Sequence, residues 1–144
     1  MSRSGALAQI DTLLAAISDP AFVAVYRGEP LAISGSPVLA FWLTGRRSDF
    51  ETLGDIGSRV TVTIRAYFRM QDSADVRESI EEEVWDAMYQ IDSQLRSDAD
   101  LGGNVTDSSV GAATVGYQNM SGGVFRTVTV PYEMELYGEV TITP

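Results

Sequence analysis

Arg59-Val-Thr-Val-Thr-Ile-Arg-Ala-Tyr-Phe-Arg-Met70 alternates apolar and polar side chains at every step. Val60, Val62, Ile64, Ala66, Phe68 and Met70 fall on one side. Arg59, Thr61, Thr63, Arg65, Tyr67 and Arg69 fall on the other. A period of two over this length predicts a half-buried β-strand. A few residues later the period changes. Val76, Ile80, Val84, Met88, Ile91 and Leu95 recur at helical spacing, which predicts an amphipathic helix over 75–97. Asp75 followed by Glu78 has the form of an N-terminal cap with its reciprocal partner, and Leu101-Gly102-Gly103 supplies a stop. One apolar sheet face packed on one helix is implied. The opposite sheet face carries three arginines and a tyrosine, and must meet water, a partner or a pore.

Working outward, Leu7, Ile10, Leu13, Leu14 and Ile17 mark a short helix over about 4–18, closed by Asp19-Pro20. Phe22–Arg27 reads as a short strand. Gly28-Glu-Pro30 and Ser34-Gly-Ser-Pro37 are turn chemistry. Val38–Thr44 is apolar on both faces, which predicts a strand covered on both sides. Residues 45–58 are polar and glycine-punctuated. They read as a long loop, mobile in a free subunit, with Arg46, Arg47 and Phe50 as candidate contact residues. Val105–Tyr117 is a weak strand with an irregular interior, and Asn119–Gly123 is a turn. Val124–Ile142 is a long β segment in which Pro131 forces an edge, a bend or a bulge. The expected fold is α+β: a mixed or antiparallel sheet covered by a long helix and a short N-terminal helix. The order is α-β-β-β-α-β-β, in one domain over 1–144.

The 144 residues suffice for one core, and an apolar fraction of 44% argues against disorder. No apolar run is long enough to span a bilayer, and no signal pattern opens the chain, so no membrane partner is expected. The Asn104-Val-Thr106 and Asn119-Met-Ser121 sequons then read as chance. Cysteine and histidine are both absent. Thiolate chemistry is excluded, and with it the commonest general base and transition-metal ligand. No catalytic set, cofactor or metal is expected. Glu81-Glu82-Glu83 with Asp86 fans around its helix and reads as a solvated face rather than an oxygen-ligand cation site. Ten basic against twenty acidic residues leave a net charge of −10, which disfavours tight nucleic-acid binding. Every basic residue is arginine. Codon bias of a GC-rich genome explains this, and arginine also suits planar interface contacts.

Trp85 and Tyr89 stand apart from the core stripe. At about 100° per residue they lie about 120° and 160° from its centre, four positions apart on an outer face. Either a loop covers them or they form a protein–protein contact, where both residue types concentrate. Arg65, Tyr67 and Arg69 form the second candidate: an ordinary solvated sheet face, or a subunit contact for a neighbour's carboxylates.

The succession of a short helix, strands, a long loop, Val60–Met70, an acidic helix ending Gln94-Leu-Arg96, Leu101-Gly-Gly103, and Gly122-Gly-Val-Phe-Arg126 opening the last strand resembles the tail terminator (tail completion) proteins of long-tailed bacteriophages, the minor tail protein U type. The resemblance covers about residues 4–140. It implies a virion structural protein forming a homo-oligomeric, hexameric ring on the head-proximal end of the tail. Such a ring stops growth of the tail tube protein and presents a surface to the head-completion connector. DNA would pass through it without specific binding, and the protein would lie in the host cytoplasm during assembly. No family interface residue maps one by one. Another phage neck or head-completion protein, or a small-molecule-binding α+β domain, is the alternative.

Overall fold

The computed structural model describes residues 3–52, 55–71, 73–120 and 123–141, with backbone only for 48–52, 55–56 and 137–141. Strand and helix follow one another as the two periods require: β-strand Asp55–Arg69 leads into helix Ala74–Arg96. In chain order the elements are α1 (Arg3–Ala15), β1 (Ala24–Arg27), β2 (Val38–Thr52), β3 (Asp55–Arg69), α2 (Ala74–Arg96), β4 (Asp107–Val110), β5 (Thr114–Met120) and β6 (Gly123–Thr141). The fold is mixed α+β. β1 pairs with β2 in parallel, and every other pairing is antiparallel. The strand order is β1-β2-β3-β6-β4, with β5 also on β6.

Both helices cover the same sheet face. α1 buries Ala6, Ile10 and Leu14, four apart in one stripe, and α2 buries Ile80, Val84, Ala87, Ile91 and Leu95. These meet Leu39 and Phe41 of β2, the apolar set of β3, and Val128, Val130, Tyr132, Met134 and Leu136 of β6 in one core. Each large apolar side chain removed from water contributes about 1.5–3 kcal/mol, which makes this core the main source of stability. Gln9 donates to Asp98 Oδ2 at 2.9 Å, and Gly102 N–H donates to Asp98 Oδ1 at 3.1 Å, which ties α1 to the turn after α2. The bond from the Gly102 N–H, followed by hydrogen bonding with Asp100 and Gln9, holds the Asp98 carboxyl below its usual range against the effect of burial.

The expected cap of α2 is corrected. Ser73 is the N-cap, extended at φ −136° and ψ 131°, and makes no side-chain capping bond. Asp75 lies inside the first turn, where its charge complements the helix dipole. At the far end Leu101, Gly102 and Gly103 all have positive φ (48°, 68° and 85°). Glycine takes this conformation without penalty, and Leu101 is held there by a fully buried side chain.

The loop expected over 45–58 is also corrected. Its described residues continue β2 and β3 as an antiparallel hairpin, with register shifts at Leu43/Gly45 and Ser48/Phe50. Polarity misled the reading, because the hairpin runs past the core-forming stretch and needs no apolar alternation. The weak strand over 105–117 is two strands, β4 and β5, that take consecutive stretches of β6. Pro131 sits where one gives way to the other. Gly111 N–H donates to the Pro131 carbonyl at 2.7 Å, so the missing proline N–H faces the break in the ladder.

A candidate assembly surface

α2 turns its acidic side outward, and on that side the two aromatics expected there are exposed: Trp85 by 73% and Tyr89 by 67%. The buried stripe occupies the other side of the helix, as the wheel geometry requires. The aromatics border an open groove of about 510 Å³ floored by Met88 and Val130 and walled by Val110–Ala113. Arg96 and Asp92, paired at 2.9 Å, lie at its end. On the other flank of Trp85 is an acidic hollow lined by Glu78, Glu81, Glu82 and Asp86. Glu81 is committed elsewhere: Arg126 Nε donates to it at 2.9 Å. The same guanidinium lies 4.6 Å over the Tyr117 ring, so it clamps β5 and β6 to α2. Deeper in, burial first, and then Asp19 and Asp86, raise the Glu83 carboxyl above its ordinary value.

Arg65, Tyr67 and Arg69 do not form an exposed contact face. Tyr67 is fully buried in a second, smaller cluster with Ile33, Val38, Ala40 and Phe125. Its ring meets Phe125 edge-on at 6.3 Å and 87°. The turn-rich stretch 28–37 folds back over this end of the sheet and brings Ile33 onto it. Such a stretch carries no periodicity that could announce the return. Arg69 Nη2 donates to the Ile33 carbonyl at 3.3 Å, its guanidinium lies 5.5 Å over Phe125, and its backbone N–H donates to Ser36 Oγ at 2.9 Å. Arg65 is 5.3 Å over the Trp42 ring and donates to Thr129 Oγ1 at 2.9 Å and Gln118 Oε1 at 3.2 Å. Both arginines therefore brace their own chain. Burial pushes the Tyr67 phenol above its usual value, against the opposing pull of Arg65, and burial likewise raises Tyr132. Farther along the same face the sheet stays polar, with Arg59 at 3.1 Å from Glu135 and 3.5 Å from Glu133.

Arg46 and Arg47 are exposed on β2, and Arg46 Nη2 donates to Ser58 Oγ at 2.8 Å. Phe50 pairs with Gly57 through its backbone, and its side chain lies outside the described atoms. Sequence reading missed what Arg46 borders. A hollow of about 370 Å³ opens between α1 and the sheet, lined by Ala6, Leu7, Leu43, Val60, Met134 and Leu136, with Arg3 and Arg46 at its rim. Leu43 is 58% exposed. It continues an apolar run beyond the part that is covered on both faces, and that was the available signal.

Among the described residues no three acidic side chains are grouped as a metal site, and no helix is long and apolar enough to cross a membrane. No protein-family model matches the chain, and no curated sequence is significantly similar to it.

Proposed function

We propose that this chain is a structural subunit of a long-tailed phage, a tail terminator that closes the head-proximal end of the tail tube as a homo-oligomeric ring, most simply a hexamer. The observation that carries the reading is Trp85 with Tyr89: two large aromatics exposed on the outer face of the longest helix, beside an open groove. An isolated subunit gains nothing from such exposure, whereas aromatic anchors concentrate contact energy at protein interfaces. The acidic balance of the chain fits a channel through which DNA slides without being gripped. The neighbours in this reading are further copies of the chain, the tail tube protein and the head-completion connector.

Electron microscopy of the purified protein with and without its tail tubes tests the proposal. The expected result is a ring seated on one end of each tube and tubes of uniform length. Bare tube ends together with a protein that sediments only as a monomer would overturn it. Attachment to portal or capsid ends would instead place the protein among the neck connectors.

A further inference from the structure

The geometry points to a knob-and-hollow contact between copies, in which Trp85 of one subunit enters the hollow between α1 and β2 of the next. This rests on the ring reading and names the two surfaces the ring would use. A closed ring needs heterologous contacts, so each subunit must offer two different and mutually complementary patches. The two patches are compatible in size and polarity. Trp85 is the most exposed aromatic side chain among the described residues, standing between the groove on one side and the acidic hollow on the other. The receiving hollow, at about 370 Å³, is of the size that takes ligand-sized groups, commonly about 300–1,000 Å³, and its floor is aliphatic. The patches also match in charge. Glu78, Glu82 and Asp86 flank the knob, while Arg3 and Arg46 flank the hollow, and among the described residues no carboxylate lines it. In a chain of net charge −10, setting an acidic patch against an arginine-flanked hollow avoids contact between like charges. The exposed Leu43 at the wall of the hollow would be covered by the same contact.

The chain has no cysteine, so introduced thiols report cleanly. The test places Leu43→Cys and Glu82→Cys singly and together, with a short bifunctional thiol reagent applied at concentrations where the wild type sediments as an oligomer. The double variant is expected to give a ladder ending in a closed species. A mixture of the two single variants should stop at a dimer. Trp85→Ala should weaken association about 30-fold or more, as loss of a central aromatic anchor does. Arg46→Glu and Glu82→Arg should each weaken it, and the two reversals combined should restore it. An oligomer of wild-type size that forms without this cross-link, or that tolerates Trp85→Ala, overturns the contact and leaves the ring reading standing. A wild-type protein that stays monomeric at every concentration and on tail tubes overturns both.

Discussion

Ile64→Ala probes the packing on which every surface described above depends. Ile64 is fully buried and stands in register between Phe41 of β2 and Val130 of β6, beneath α2. Alanine removes three carbons from a site without solvent. At about 0.8 kcal/mol per buried methylene the transfer loss is about 2.4 kcal/mol. Neighbours fixed on three adjacent strands relax little, and a residual cavity of roughly 50 Å³ adds about 1.2 kcal/mol. The expected destabilisation is therefore about 3.5 kcal/mol, a large share of the ~5–15 kcal/mol that holds an ordinary domain together. For 144 residues the unfolding entropy is about 0.3 kcal/mol/K, so Tm should fall by about 12 °C. Calorimetry of the wild type and the variant measures this, with Val115→Ala as a control. Val115 is 45% exposed on β5, and its truncation should cost no more than about 0.5 kcal/mol. If Ile64→Ala melts within about 3 °C of the wild type, the sheet is not packed on α2 as described.

Arg69→Glu should unfold the domain more easily, by about 2 kcal/mol in urea titration, because it loses the bond to the Ile33 carbonyl and the stacking on Phe125; an unchanged midpoint would return this residue to the open surface. Gly111→Ala should cost about 1–3 kcal/mol, since a Cβ there would lie 2.6 Å from Pro131 Cγ and 3.2 Å from its carbonyl oxygen; wild-type stability would show that the β4–β5 break is slack. Tyr67 and Tyr132 have folded pKa values raised above the ordinary 10. Their contribution is therefore fully present below about pH 10 and is lost as pH rises through the folded values, because the unfolded chain gives up its protons first. Alkaline absorbance titration should show at least two phenols ionising only as the fold is lost.

The strand–helix unit was legible because one side of each element is buried, and burial writes its period into the sequence. Val60 to Phe68 and Ile80 to Leu95 carry that record. The outward placement of Trp85 and Tyr89 followed from the same geometry. Tyr67 was misplaced for the converse reason. Alternation says which residues share a sheet face, but not whether a distant stretch such as 28–37 later covers it. The 45–58 hairpin was hidden because strands that continue past a core need no apolar alternation, and Gly45 and Gly57, both in strands, read as punctuation. Of the hollow beside Leu43 only that residue itself was legible, an apolar side chain past the covered part of β2. The hollow is assembled from α1, β2, β3 and β6, and no local pattern records a cavity shared by four elements.

β6 is the spine of the sheet, pairing with β3 from Arg69–Phe125 to Asp55–Thr141 and with β4 and β5 along its other edge. Among the described strands it is the last in the chain, so it leaves the ribosome after the others. Until residues 123–141 emerge, β3 has one bare edge, the core lacks the β6 side chains, and β4 and β5 have no strand to join. The nascent chain thus holds its two helices and first three strands unfinished, with the apolar side of β3 accessible to other chains. Completion then proceeds through pairings distant in sequence, which close slowly. Stalled nascent chains ending before residue 123 should remain sensitive to protease, and those carrying an added C-terminal linker that lets residue 141 clear the exit tunnel should become resistant. A chain built this way completes its sheet only after its last described strand has been made, so its packed surfaces form late, and together, instead of one element at a time.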